Sequence, residues 1–116
     1  MHFYEKFSGM KSYELGYETE VYHAIECRVD VDPRLDNIQM QWYFNDVLLE
    51  IEPEVFSPAN KYDVSSHRVH HTHNFHLGIR NIAYTDVGVY SCLVNASYLS
   101  LHYSRNYDIK FRIECK

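Results

Sequence analysis

The sequence predicts an all-β sandwich. Turn-forming residues recur roughly every 8 to 15 positions, which is the spacing of short strands joined by turns. No long segment shows the 3.6-residue periodicity of an amphipathic helix. The chain has 116 residues, of which 16% are aromatic and 11 are tyrosine, and this composition suits half-buried strands. The length fits one domain.

Alternating apolar residues place the first strands. We expect one strand within residues 10–20 and a second over residues 21–30, in which Ile25, Cys27 and Val29 face inward. A polar loop then leads to the middle of the chain.

The middle strands follow the same alternation. Residues 38–44 predict a strand, and residues 47–51 predict a shorter one. The inward residues of the first are Ile38, Met40 and Trp42. Residues 52–64 contain two prolines and fit either an irregular connection or a short extra strand.

Two hairpins are expected in the second half. Strands at 65–71 and 75–80 would be joined by a tight turn at 72–74. Strands at 88–96 and 107–115 would be joined by a long connection. The inward residues of the last strand are Ile109, Phe111 and Ile113.

The stretch from Asp86 to Cys92 carries the most specific pattern, with Tyr two residues before Cys and Asp and Gly just upstream. Further residues complete an ordered set, which is Cys27, Trp42, Leu77, Ile79, Ile82, Asp86, Gly88, Tyr90 and Cys92. This set resembles the immunoglobulin superfamily over most of the chain. The resemblance implies an immunoglobulin-like two-sheet antiparallel β-sandwich, of either the variable or the intermediate type. The domain would span residues 11–116, after a flexible or vector-derived lead at 1–10.

The resemblance also implies roles for single residues. Cys27 and Cys92 would form the disulfide between the sheets, which would stabilise the fold by about 4 kcal/mol. The Tyr90 hydroxyl would bond back to the backbone, and Gly88 would allow a tight turn. Trp42 and Leu77 would fill the core around the disulfide.

An ion pair between Arg68 and Asp86 is a further expectation, because variable-type domains pair an Arg near this position with an Asp. It would close one end of the sandwich.

The three cysteines indicate a compartment. A disulfide between Cys27 and Cys92 persists only in an oxidising environment, which favours secretion or the cell surface. Cys115 is left over. It would be a free thiol, pair with a partner outside this sequence or form an intermolecular bridge.

Charge and motifs exclude several functions. The net charge of −5 argues against nucleic acid and anionic membranes as partners. No run of 18 apolar residues predicts a membrane span, and the first residues lack the pattern of a signal peptide. No nucleophile elbow, phosphate-binding loop or paired carboxylates predict catalysis, so we expect neither an enzyme nor a cofactor.

The histidines are unusually clustered, since most of the eight lie between positions 67 and 76. With the turn at 72–74, His70 and His76 would stand opposite each other on the outer face, as a weak candidate metal pair. The simpler interpretation is a solvated face that titrates mildly. We therefore predict no metal site.

A binding surface and a glycan complete the predictions. Asn95 opens the sequon Asn95-Ala96-Ser97 and should face outward. The connection after it is unusually apolar, and either forms a partner-binding patch or extends the hairpin and packs on itself. The candidate partner-binding residues are Tyr43, Leu93, Tyr98, Leu99, Leu101 and Tyr103.

The function implied by the resemblance is recognition without catalysis. An extracellular receptor, adhesion or secreted protein would bind a protein partner, homophilic or heterophilic. The contact would use the C–F–G face, formed by the strands at 38–44, 88–96 and 107–115, and the F–G loop between the last two. Two other functions fit the same fold: a spacer domain of an intracellular filament or muscle protein, and a soluble decoy or immune modulator.

Overall fold

A computed structural model describes residues 3–4, 13–17, 20–51 and 60–114 of the chain. Within them the strands are β1 (Phe3–Tyr4), β2 (Tyr13–Tyr17), β3 (Tyr22–Val31), β4 (Asp36–Phe44), β5 (Val47–Leu48), β6 (Tyr62–Val69), β7 (Thr72–Arg80), β8 (Gly88–Tyr98) and β9 (Leu101–Glu114). A single 3₁₀ turn, Tyr84–Asp86, separates β7 from β8.

The strands form two sheets, which confirms the predicted all-β sandwich. One sheet has the order β1-β3-β7-β6 and the other the order β2-β9-β8-β4-β5. Neighbours are antiparallel except β2 and β9, which run parallel. No short turn joins these two distant strands, so nothing requires them to be antiparallel.

The core lies between the sheets and is built from alternate residues of the long strands. Its largest fully buried apolar side chains are Tyr90, Phe111, Ile25, Leu77, Ile79 and Ile109. Cys27 and Cys92 form the predicted disulfide across it, with their Cα atoms 6.5 Å apart. Trp42 stands opposite Cys92 on the neighbouring strand and is buried.

The role expected for Gly88 is wrong. Its backbone is not in the left-handed region, so it makes no special turn. A Cβ at Gly88 would come within 2.6 Å of Asn45 Oδ1 and 2.7 Å of Phe44 Cε1. The position needs glycine because neighbouring side chains approach the backbone closely.

Both predicted hairpin connections are also wrong. The strands β6 and β7 are joined by a two-residue turn at His70 and His71, so the expected turn at 72–74 lies inside β7. The strands β8 and β9 continue to a two-residue turn at Leu99 and Ser100. Backbone pairing therefore extends through the segment that was expected to be a long loop. This agrees with the alternative given in the sequence analysis, in which the connection extends the hairpin.

Smaller differences concern the chain start and the edge of the second sheet. Phe3 and Tyr4, within the expected lead, pair with Val31 and Asp30 of β3. The short strand expected at 47–51 comprises two residues in β5. Residues 52–59, where an extra strand was considered, lie outside the described residues.

Candidate recognition surface

Three connections meet at one end of the sandwich, which we call the turn end: the β3–β4 loop, the β6–β7 turn and the β8–β9 turn. The amide of Val31 donates to the carbonyl of His71 at 2.9 Å, which joins the first two. The side-chain amide of Asn37 lies 3.3 Å from the Ser97 hydroxyl, which joins the start of β4 to the β8–β9 hairpin. The opposite end contains the 3₁₀ turn and the start of β3.

The β8–β9 turn exposes apolar side chains. Leu99 is 83% exposed and Leu101 is 56% exposed. Leu99 also has a φ of 57°, in the left-handed region that leucine adopts only at a cost. The tip of this hairpin is therefore both apolar and conformationally unfavourable.

The six predicted binding residues do not form one patch. Tyr43 and Leu93 alternate with neighbours that face the core, and they lie on the outer face of the five-stranded sheet. Tyr98 and Tyr103 face the other sheet, where they pack half-buried against the edge of the core. This division follows from the pairing of β8 with β9, which the sequence prediction of a loop could not include.

The sequon lies on the central strand of the five-stranded sheet, near the turn end. Asn95 is half-buried on β8, between Gln39 of β4 and Ser104 of β9. The hydroxyl of Ser97, which completes the sequon, lies 3.5 Å from the carbonyl of Asp36.

The predicted ion pair between Arg68 and Asp86 is wrong. The buried carboxylate of Asp86 accepts a hydrogen bond from Lys61 Nζ at 2.8 Å and one from the amide of Ala83 at 2.9 Å. Arg68 lies at the far end of β6, because this strand begins three residues earlier than expected. The Tyr90 hydroxyl donates to the Asp86 carbonyl at 2.9 Å, as the resemblance implied.

The predicted pairing of His70 with His76 is wrong as well. His70 lies in the β6–β7 turn with a φ of 55°, whereas His76 pairs with Ser65 and Glu26. Within the described ranges, no three His, Cys, Asp or Glu side chains come together as a metal site would require. Cys115 lies outside those ranges.

A polar cleft at the turn end was missed by the sequence analysis. It has a volume of about 350 Å³ and lies between the β3–β4 loop and the β6–β7 turn. Arg68, His71 and His73 line one side. Burial, and to a lesser degree the charge of Arg68, lowers the pKa of His73. The histidine cluster was the available signal, but the wrong register placed its members elsewhere.

The other side of the cleft carries two carboxylates, on Asp32 and Asp36. Asp32 is buried and accepts hydrogen bonds from Arg34 Nε at 3.0 Å and Arg34 Nη2 at 2.8 Å. These bonds, together with one from the Arg34 amide, hold the pKa of the Asp32 carboxyl well below its usual range. The described part of the chain offers no candidate for a membrane-spanning helix.

Comparison with known proteins identifies the architecture. No protein-family model and no curated protein matches the sequence. Among solved structures, a complex of Dpr2 Ig1-Ig2 with DIP-Theta Ig1-Ig3 is similar with a TM-score of 0.65 at 16% identity; the match covers 90% of this chain and 30% of that one. The chain thus spans less than a third of that relative.

Two further structures match over almost their whole length. The BTLA ectodomain has a TM-score of 0.59 at 16% identity, with 97% of each chain covered. A structure used to study cell-adhesive interactions of voltage-gated sodium channel (VGSC) beta subunits has a TM-score of 0.67 at 13% identity; the match covers 97% of this chain and 99% of that one. With the sheet order and the disulfide, these likenesses establish that the chain has an immunoglobulin-like fold.

Proposed function

We propose that this domain is a non-catalytic recognition module that binds a protein partner outside the cell. The contact would be made by the tip of the β8–β9 hairpin, extended by the outer face of β4, β8 and β9. The single observation that carries the proposal is Leu99, which combines 83% exposure with a left-handed backbone.

Leu99 contributes little to the stability of the free domain and places its backbone under strain. An apolar side chain left in water forgoes about 1.5 to 3 kcal/mol that full burial would contribute. The left-handed backbone costs leucine roughly a further 1 to 2 kcal/mol. Residues with a strained backbone occur preferentially at functional sites, where the strained conformation serves binding or catalysis.

The outer face offers a second contact area. Tyr43 and Leu93 are half-exposed there, and tyrosine supplies a large contact at low entropic cost. A glycan on Asn95 would cover the part of this face next to the hairpin and restrict a partner to the hairpin tip. Occupancy of Asn95 therefore decides how far the contact extends from the tip.

Two observations support recognition outside the cell. The disulfide between Cys27 and Cys92 is the kind of bond that persists in oxidising compartments. The similar structures include Dpr2 in complex with DIP-Theta and a study of cell-adhesive interactions, both concerned with binding between proteins. Those partners belong to those proteins; for this chain they support recognition as the class of function.

The test measures binding of the tetramerised domain to a panel of extracellular domains that includes the domain itself. We expect at least one partner, and we expect Leu99→Ser combined with Leu101→Ser to weaken its binding by at least about tenfold, as truncation of hot-spot residues does. The matched control is Val21→Ser, because Val21 is 75% exposed at the opposite end.

The hairpin tip would be rejected as the binding element by either of two results. One is that Val21→Ser weakens binding as much as the double variant, and the other is that the double variant binds as tightly as the wild type. Intact mass of the secreted protein before and after reduction and alkylation tests the location. Free thiols at Cys27 and Cys92 would contradict it.

A further inference from the structure

We propose that the cleft at the turn end is a carboxylate-binding site, in which Arg68 binds an acidic side chain of the protein partner. The proposal rests on the proposed function only in taking the carboxylate from a protein. The site itself is argued from the cleft, its charges and its walls.

Arg68 is held in a position suited to this role. Its Nε donates to the carbonyl of His70 at 2.9 Å, which fixes the guanidinium beside the turn. Among the described residues, no acceptor is bonded to its two terminal nitrogens. That edge of the guanidinium matches the two oxygens of a carboxylate, which arginine binds through parallel hydrogen bonds.

Two histidines line the cleft beside Arg68 and add hydrogen-bonding groups to that side. His73 stands opposite Arg68 in the register of β6 with β7, and His71 follows in the turn. A neutral imidazole can donate one hydrogen bond to a bound anion, and a protonated one adds a charge. Because burial and Arg68 lower the pKa of His73, a bound carboxylate would offset part of that effect.

The acidic groups facing the cleft do not neutralise the charge of Arg68. Asp32 is already paired with Arg34 by two hydrogen bonds from its guanidinium, so it does not need Arg68 as a counter-ion. Asp36 is exposed at the rim, where water screens its charge. The net charge of −5 acts mainly over distances longer than about 8 Å, at which physiological salt screens it.

The walls of the cleft suit a short aliphatic acid. The volume of about 350 Å³ lies at the lower end of the range of ligand sites. Leu35 and Ile38 line it together with the charged groups, so methylene carbons would meet apolar surface while the carboxylate meets Arg68. Glutamate and aspartate side chains both have this construction.

The experiment follows the histidine ring resonances of the whole domain by NMR while N-acetyl-glutamate amide is added. We expect the His71 and His73 rings to shift and saturate, and the glutamine analogue to bind at least tenfold more weakly. Binding should tighten as the pH falls through the lowered pKa of His73, because protonation of that ring adds positive charge beside Arg68.

Two variants make the test specific. Arg68→Gln should weaken binding at least tenfold. Arg28→Gln should stay within twofold, because Arg28 bonds Asn74 Oδ1 at 3.1 Å on the outer face of the same sheet. Equal binding of the glutamate and glutamine compounds, or equal losses in both variants, would overturn the site.

A comparison with N-acetylneuraminic acid decides the source of the carboxylate. Binding of this sugar acid at least tenfold tighter than the glutamate compound would overturn the protein source in favour of a glycan. The titration needs no protein partner, so it also separates the two proposals. If the binding assay of the hairpin tip fails and the titration succeeds, the proposed function is rejected and the carboxylate site stands. If the binding assay succeeds and the titration fails, only the carboxylate site is rejected.

Discussion

The β6–β7 and β8–β9 hairpins reverse direction in similar ways but differ in chemistry. Each has a two-residue turn whose first residue is left-handed without being glycine, with φ of 55° at His70 and 57° at Leu99. At β6–β7 both turn carbonyls accept further hydrogen bonds, from Arg68 and Val31. Within the described residues, the β8–β9 turn has no comparable bonds. The same backbone cost is thus offset locally in one hairpin and left uncompensated in the other.

Removing the disulfide should have the largest effect, since it joins β8 to β3, the neighbour of β7. We expect Cys27→Ala with Cys92→Ala to lower the free energy of unfolding by about 4 kcal/mol in urea denaturation. Hydrogen exchange should become faster in both hairpins together, because they share one core.

The matched control for this prediction is Cys115→Ser, which leaves the bridge intact and should leave both hairpins protected. Loss of protection in one hairpin alone would show that the two are stabilised independently.

Glycine substitutions in the two turns measure the cost of the left-handed backbone directly. We expect Leu99→Gly and His70→Gly each to raise the free energy of unfolding by about 0.5 kcal/mol, because relief of the left-handed strain exceeds the entropy cost of glycine. Thermal and urea unfolding measure this.

The two glycine variants should differ in binding. Leu99→Gly should weaken the partner contact, whereas His70→Gly should not change the contact at the hairpin tip. If Leu99→Gly stabilises the domain but binds the partner as tightly as the wild type, then Leu99 is not exposed for the sake of that contact.

The pH dependence of stability should show the smallest effect. Burial lowers the pKa of folded His73, while the unfolded chain keeps the ordinary value near 6.5. The unfolded state therefore binds more protons between those two values, and stability falls as the pH drops below 6.5 through this window. His73→Gln should reduce that loss between pH 7.5 and 5.

The control is His67→Gln on the exposed part of β6, which should keep the wild-type pH dependence. Adding N-acetyl-glutamate amide should also reduce the wild-type loss at pH 5. If His67→Gln flattened the curve as much as His73→Gln, the effect would not come from the cleft.

The sequence was sufficient for the architecture because the core residues alternate on long strands. Ile25, Cys27 and Val29 face inward as predicted, and so do Ile109 and Phe111. Buried apolar side chains fix such positions, since a shift by one residue would turn them to water.

The turns were not predictable in the same way. Two-residue hairpin turns are usually indicated by Asn-Gly, Asp-Gly or a first Gly, whereas here His70-His71 and Leu99-Ser100 are imposed by the pairing of the strands. The predicted turns therefore shifted the register of the strands. For that reason the prediction placed Arg68 beside Asp86, where Lys61 lies in the structure, and it did not bring the cleft residues together.

The parallel pairing of β2 with β9 has a mechanical consequence. Five consecutive residue pairs join these strands, from Tyr13 with Lys110 to Tyr17 with Glu114. Tension that pulls the start of β2 away from the end of β9 acts along both strands and loads their hydrogen bonds together, in shear. The two pairs between β1 and β3 would separate first, and the β2–β9 ladder would then carry the load before the core is exposed.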